Sequence, residues 1–138
     1  MNIVQTYHTI KERIKEIVGK ERITRIRTMA WMQSGMLHSR SVHLTRMASK
    51  IPGTAKKLSV AERFRSFLNN RHVHVRRWYR PLAEALIQEA AKAGKPLRFF
   101  IDGSKIGNSH QLLMVSLGYR RRALPIAWTW IRAKRGHS

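Results

Sequence analysis

The chain has 138 residues, 43% of them hydrophobic, and carries 28 Lys and Arg against seven Asp and Glu, a net charge of +21. This length fits one domain, or one small domain and part of another, and the composition argues against wholesale disorder. The lack of cysteine excludes disulfides and cysteine-bound metals. No uncharged apolar run approaches the roughly 20 residues that span a bilayer, and the first residues lack a signal-peptide pattern. We therefore expect a cytoplasmic protein with no membrane partner.

The positive charge is spread along the chain, with +13 on residues 1–94 and +8 on residues 95–138. A compact protein of this charge repels itself unless a polyanion lies near, so nucleic acid is the natural partner. A solubilising surface or a membrane-surface protein would also carry such a charge. The charge excess in a sequence with folded composition favours nucleic acid.

Two helices are predicted before residue 34. Isoleucines and a tyrosine recur from Ile3 to Ile17 at spacings of three and four, which places them on one helix face, and Gly19 follows as a stop. A second helix is expected over residues 21–33, and Ser34-Gly35 is expected to break it.

The third and fourth helices are predicted on either side of Pro52-Gly53. The third begins after Ser39 or Ser41. The fourth begins at Ser59, which forms a capping box with Glu62 in the pattern Ser-Val-Ala-Glu. We expect this helix to bury an apolar side that includes Leu68.

A fifth helical pattern covers residues 75–93 and contains Pro81, where we expect a kink or a restart. Gly94 and Pro96 then form a helix stop. Composition changes at this point, so we predict a domain boundary between residues 94 and 95.

Three strands are predicted after this boundary. Residues 97–101 are expected to form a buried strand, followed by strands over 111–119 and 123–131. The short connections favour antiparallel pairing, and Pro125 requires a bulge or an unpaired edge. The fold class is therefore α+β, with an all-helical domain over 1–94 and the strands in 95–138.

The helical region contains a candidate DNA-binding motif. Residues 39–70 have the helix–break–helix order of a helix-turn-helix, with 59–70 as the recognition helix. Its basic and amide side chains suit phosphates or base edges, although positive residues on a helix are commonly its solvated face. Residues 71–80 mix cations with aromatics, which suits a nucleic-acid backbone. The residues predicted to contact DNA are Arg63, Arg65, Asn69, Arg71, Arg76, Arg77, Arg120, Arg121 and Arg122.

Asp102 is the only aspartate, and no acidic residue follows it. It closes the apolar run 97–101 just before a glycine, where an aspartate is commonly a turn former. A strand can also aim such an acid at a substrate. Two-metal phosphoryl transfer needs a cluster of carboxylates, because each Mg²⁺ takes several oxygen ligands.

Around Asp102 the sequence resembles a known family. The stretches L-R-F-F-I-D-G-S-K-I-G (97–107) and H-Q-L-L-M-V-S-L-G-Y-R-R-R-A-L-P-I-A-W-T-W (110–130), with the terminal G-H-S, resemble the start of the catalytic domain of bacterial insertion-sequence DDE transposases of the group called insertion sequence four. Upstream, M-L-H-S-R-S-V-H-L-T-R-M-A (36–48) and F-R-S-F-L-N-N-R-H-V-H-V-R-R-W-Y-R-P-L (64–82) resemble that group's helical region.

The resemblance implies an RNase H-like fold beginning at Leu97, with Asp102 as the first catalytic acid and a metal ligand. In the family, a second Asp and a Glu within a Tyr-Arg-Glu-Lys signature complete a site for two Mg²⁺ ions, which cleaves and joins DNA at transposon ends. Neither appears before Ser138. The sequence thus indicates an N-terminal transposase portion, from a truncated gene or a split reading frame, that binds double-stranded DNA and is inactive alone.

The same residues leave two other functions open, and they are compatible with self-association. The chain could be a non-enzymatic basic DNA-binding protein acting at transposon ends. An RNA-binding protein of the ribosomal kind is a weaker reading. Self-association, or association with full-length transposase at the bacterial nucleoid, is compatible with the resemblance.

Overall fold

Five helices precede a three-stranded antiparallel sheet in residues 1–132, the part of the chain that this computed structural model describes. The helices are α1 (Ile3–Val18), α2 (Ile23–Ser39), α3 (Leu44–Ser49), α4 (Lys57–Leu68) and α5 (Val75–Ala91). The strands are β1 (Phe99–Ile106), β2 (His110–Tyr119) and β3 (Arg122–Arg132), in the order β1-β2-β3. Helices followed by an antiparallel sheet constitute the α+β class predicted from the sequence.

The described chain forms two compact units, Met1–Trp78 and a second that begins at Tyr79. The division falls within α5 because Trp78 belongs to the core of the first unit, where its ring meets the edge of Phe67 with centroids 6.0 Å apart. The boundary predicted between residues 94 and 95 instead follows the change from helices to strands.

The core of the first unit is a single cluster of side chains from all five helices and the segment after α3. Phe64 and Ala30 are fully buried at its centre. Tyr7 of α1 stacks on Trp31 of α2 with ring centroids 3.9 Å apart and planes 10° apart. The buried members are Tyr7, Ile14, Ile26, Ala30, Met32, Met47, Ala48, Ile51, Val60, Ala61, Phe64, Phe67 and Trp78.

The predicted break at Ser34-Gly35 is wrong, because α2 continues through both residues to Ser39. Ser34 is fully buried, and its hydroxyl donates to the Ala30 carbonyl at 2.7 Å, so the helix satisfies it internally. A Cβ on Gly35 would lie 2.8 Å from the carbonyl oxygen of Met47 in α3. The glycine therefore permits a close helix crossing and does not end the helix.

The predicted capping box of α4 is also wrong. The helix begins at Lys57, so Ser59 already lies inside its first turn, and the N-cap Lys56 has no side-chain cap. Glu62 instead pairs with Arg65, one turn further along. Val60, Phe64 and Phe67 form the buried side, whereas Leu68 is 59% exposed and was wrongly assigned to it.

Helix α5 runs through Pro81 as one element, so the predicted restart does not occur. Proline costs the helix one backbone hydrogen bond and crowds the preceding turn. An ion pair from Arg80 Nε to Glu84 Oε1, 2.6 Å long, links the residues on either side of it.

The sheet is a meander in which β1 and β3 each pair with β2. A register shift beside Val115 and Ser116 places one extra residue in β3, next to Pro125, as the proline required. Tyr79 connects α5 to this sheet: its hydroxyl donates to the Pro125 carbonyl at 2.6 Å, and its ring meets Trp128 edge-on at 4.9 Å. Leu117 of β2 is fully buried.

The first strand differs from its prediction in both length and burial. It extends from Phe99 to Ile106, past the glycine that was expected to turn, and every residue in it is exposed. Its partner β2 is half-buried along most of its length. Within the described residues β1 is an outer strand with one paired edge, and its apolar run remains at the surface.

Candidate nucleic-acid interface

Cations greatly outnumber their acidic partners on the described surface. Each of the six glutamates forms an ion pair with Lys or Arg, and these pairs engage eight of the 26 Lys and Arg residues in residues 1–132. The remaining 18 have no acidic partner in that part of the chain. A surface with this excess attracts a polyanion through counterion release.

Helix α4 presents two of the predicted DNA-contacting arginines on its exposed side. Arg63 has neither a hydrogen bond nor an ion pair to another described residue, whereas Arg65 pairs with Glu62. Asn69 forms the C-terminal cap of the helix and is exposed. Of these three, Arg63 is the residue most available to a ligand.

A shallow cleft of about 200 Å³ lies between α2 and α4 within the first unit. We call it the α2–α4 cleft. Arg63 is the only residue among those predicted to contact DNA that lines it. The other lining residues are Thr24, Arg25, Thr28, Ser66, Phe67 and Asn70. No carboxylate lines this cleft, so its electrostatic character is set by two guanidinium groups.

Glu21 organises the cations beside this cleft. Its side chain is only 3% exposed, and its two oxygens accept from Arg25 Nη1 at 2.8 Å and from Arg77 Nη2 at 3.4 Å. The indole Nε1–H of Trp78 donates to the same carboxylate at 3.3 Å, and the backbone N–H of Arg22 at 2.8 Å. Glu21 therefore fixes Arg25, which lines the cleft, and engages Arg77 of α5.

The pKa of Glu21 reflects two opposing effects. Burial is the largest single effect and raises the pKa. The hydrogen bonds from Arg22, Arg25 and Trp78 and the charge of Arg25 lower the pKa by more in total, so it lies below its ordinary value. The carboxylate is therefore ionised at neutral pH and holds its cations as a charged acceptor.

Two further predicted residues lie between α4 and α5 or at the start of α5. Arg71 is exposed, and its Nε–H approaches His72 Nε2 at 3.5 Å. Arg76 is exposed in the first turn of α5. Neither has an acidic partner in the described residues, and neither lines the α2–α4 cleft.

The arginine turn between β2 and β3 forms a second basic feature, in the second unit. Arg120 and Arg121 are the two loop residues of a hairpin closed by the Tyr119–Arg122 pair, and their φ angles are 45° and 63°. Such left-handed angles are typical of asparagine and glycine in hairpin loops and disfavour arginine. The Arg120 guanidinium lies 5.2 Å from the centre of the Tyr119 ring. The tip thus displays a compact group of cations on a strained turn.

Asp102 lies in the middle of β1 and not at its end, because Gly103 continues the strand. Its carboxylate Oδ1 accepts from the Gly103 backbone N–H at 2.9 Å. Its cross-strand row consists of Met114 and Trp128.

This environment does not provide a magnesium site. Mg²⁺ requires octahedral oxygen ligands, usually carboxylates with waters, and a thioether and an indole supply none. Within residues 1–132 no three His, Asp or Glu side chains converge. The described residues around Asp102 therefore do not fit the two ions that the family resemblance implies.

Of the seven residues that line the α2–α4 cleft, sequence reasoning predicted only Arg63 as a binding residue. Thr24, Arg25 and Ser66 were not predicted to bind, and Asn70 was passed over in favour of its neighbour Asn69. The helical spacing of Thr24 and Thr28 places both on one face of α2, which is a signal that the sequence contained. Their proximity to α4 is a tertiary fact that no local pattern supplies.

No protein-family model, curated protein or solved structure matches this chain. The resemblance to insertion-sequence transposases accordingly stays a prediction. Among the described helices, none combines the length and the apolar character that a membrane crossing requires.

Proposed function

We propose that this chain binds double-stranded DNA as part of a bacterial transposition system, acting at transposon ends in the nucleoid. The observation that carries the DNA-binding part is the excess of unpaired cations: 18 Lys and Arg of residues 1–132 have no acidic partner there. Neutralising phosphates with these groups releases condensed counterions, which drives binding at low salt.

The place in transposition rests on the sequence around Asp102. The resemblance to the insertion-sequence-four transposases implies three antiparallel strands, with the first catalytic acid on the first strand. The order β1-β2-β3 and the position of Asp102 in β1 support this hypothesis. In this proposal the sheet begins an RNase H-like domain, and Asp102 corresponds to the first of the family's three catalytic acids.

A second candidate is a non-enzymatic protein that occupies transposon ends and competes with active transposase. The surroundings of Asp102 favour it. The carboxylate accepts from its own neighbouring backbone N–H, and Met114 and Trp128 occupy its row. In both candidates the work of this chain alone is to hold DNA.

DNA binding is tested by titrating labelled duplex DNA with the purified chain from 50 to 300 mM salt. We expect the logarithm of affinity to fall linearly with the logarithm of salt, with a slope of several units. Binding that is absent, or independent of salt, would remove both candidates. Tighter binding to duplex RNA of the same length would favour the RNA-binding alternative.

The transposition part has its own test. The gene's nucleotide sequence after codon 138, read in all frames, should encode the second Asp and the Tyr-Arg-Glu-Lys stretch, between flanking inverted repeats. A matching end duplex with Mg²⁺ and this chain alone should show no nicks. If the nucleotide sequence encodes neither the second Asp nor the Tyr-Arg-Glu-Lys stretch, the chain is a DNA-binding protein without a link to transposition.

A further inference from the structure

The α2–α4 cleft combines several hydrogen-bond donors and has no carboxylate in its lining. Arg63 and the hydroxyls of Thr24 and Ser66 have no hydrogen-bond partner among the described side chains. The Asn70 Oδ1 accepts from the His72 backbone N–H at 2.9 Å, which leaves the Asn70 amide N–H₂ group as a donor. Such a donor-rich site suits a ligand with several anionic oxygens.

Thr28 is the exception among these polar groups. Its hydroxyl hydrogen is donated to the Thr24 carbonyl at 2.9 Å, so its oxygen has only lone pairs to offer. The donors for a ligand are therefore restricted to Thr24, Arg25, Arg63, Ser66 and Asn70. Thr24 and Thr28 lie on the same helix face, but only the Thr24 hydroxyl can donate to a ligand.

Arg25 is preorganised for a ligand. Its Nη1 donates to Glu21 at 2.8 Å, and its side chain is 17% exposed. A guanidinium carries five N–H groups, so this contact fixes the side chain while leaving further donors for the cleft that Arg25 lines. Fixing a long side chain in advance reduces the entropy lost when a ligand binds.

The α2–α4 cleft is small and open to solvent. Its volume of about 200 Å³ corresponds to roughly six or seven waters at about 30 Å³ each. Pockets for organic cofactors and drug-sized molecules are larger, at about 300–1,000 Å³. A single phosphate group with its bridging waters matches both the volume and the donor set. Thr24 and Arg25 also lie in the first turn of α2, where the helix dipole favours negative charge.

We propose that the α2–α4 cleft binds one backbone phosphate of duplex DNA through Arg63, Ser66 and Thr24, with Arg25 held ready by Glu21. This inference rests on the proposed DNA-binding function and assigns the contact to α2 as well as to α4. It differs from a recognition-helix mode in which α4 alone meets the DNA.

The test compares salt-dependent binding of one 20-base-pair duplex by single variants. Arg63→Gln should weaken binding about tenfold and reduce the salt slope by about one. Ser66→Ala and Thr24→Val change no charge and should each weaken binding about threefold, since each removes one hydrogen bond. The matched controls are Arg13→Gln, an exposed α1 cation outside the cleft, and Ser59→Ala, an exposed serine of α4 outside the cleft.

The outcomes separate this inference from the broader function. Should the wild-type chain bind duplex DNA while Arg63→Gln behaves as Arg13→Gln and Ser66→Ala behaves as Ser59→Ala, the cleft is not a phosphate site and the DNA-binding proposal stands. If the wild-type chain does not bind duplex DNA at any salt, the proposed function itself has failed. Circular dichroism and thermal melts of each variant establish that it is folded, and Ser66→Ala supports helix formation in any case.

Discussion

The indole N–H of Trp78 donates to the Glu21 carboxylate across 57 residues of sequence, at a distance of 3.3 Å. This bond joins the start of α5 to the segment before α2, and the same carboxylate holds Arg25 and Arg77. A single buried acid therefore unites the edge of the core with the cations beside the α2–α4 cleft. Its loss should affect both stability and DNA binding.

We predict that Glu21→Ala lowers the free energy of unfolding by about 2 kcal/mol, because four hydrogen bonds, from Arg22, Arg25, Arg77 and Trp78, lose their acceptor in a buried site. Urea denaturation followed by tryptophan fluorescence measures this. Glu16→Ala is the control, since its pair with Arg13 is exposed and such pairs contribute less than about 1 kcal/mol. Equal losses in the two variants would contradict the central role of Glu21.

The same carboxylate predicts a pH dependence. Its pKa is lowered in the folded state, so its stabilising contribution is fully present above the ordinary glutamate pKa and is lost as pH falls through the folded-state pKa. Unfolding measured between pH 6 and 3 should therefore show a decline in acid that is shallower in Glu21→Gln. Parallel curves for the two proteins would show that Glu21 contributes nothing to acid sensitivity.

Gly35→Ala should destabilise the first unit although alanine favours helices. A Cβ at this position would lie 2.8 Å from the Met47 carbonyl oxygen, which belongs to backbone and must shift. We expect the free energy of unfolding to fall by about 1–2 kcal/mol, after the helix-propensity gain of about 1 kcal/mol is included. Leu37→Ala, at a 60% exposed site of the same helix, is the control. A stabilised Gly35→Ala variant would mean that α3 can move away freely.

Much of the fold could be predicted from local patterns. The spacing of apolar residues located α1 and α5, and the antiparallel strands and the irregularity at Pro125 followed from turn lengths and proline chemistry. Gly35 shows the limit of such patterns. The sequence does not show whether a glycine ends a helix or allows two helices to pack closely. At Gly35 only the position of Met47 shows that it does the second.

The candidate site was less predictable for the same kind of reason. Arg63 could be selected as a cation on an exposed helix face, but Arg65, two residues later, looks equivalent in sequence and differs by its pair with Glu62. The apolar residues of β1 predict burial, because the sequence does not show which faces of a sheet other residues will cover. Whether a charge is available, and whether a strand is covered, are both tertiary properties.

Tyr79→Phe should lower the free energy of opening of the second unit by about 1 kcal/mol. It removes the 2.6 Å hydrogen bond to the Pro125 carbonyl and keeps the ring against Trp128. Hydrogen exchange of β3 amides is the measurement, and Tyr119→Phe is the control. Burial also raises the pKa of Tyr79. The contribution of its phenol is therefore present below the ordinary tyrosine pKa and lost as pH rises through the folded-state pKa. Exchange that is identical in both variants would contradict this assignment.

Replacing Arg120-Arg121 by Asn-Gly should stabilise the hairpin and weaken DNA binding at once. Both positions have left-handed φ angles, which cost a side chain such as arginine about 1 kcal/mol or more each. We expect slower amide exchange in β2 and β3 together with a duplex affinity lower than that of Arg13→Gln with Lys15→Gln, the double control for lost charge. An unchanged affinity relative to that control would leave the strained tip without a role in binding.

The exposed first strand has a consequence for the behaviour of the protein at high concentration. Phe99, Phe100 and Ile101 are 48%, 53% and 72% exposed on an outer strand, which is a template for pairing between copies. Asp102 adjoins them and is the one acidic charge in β1. A charge beside an apolar edge segment acts as a gatekeeper against aggregation. Asp102→Ala should therefore raise light scattering as the protein is concentrated.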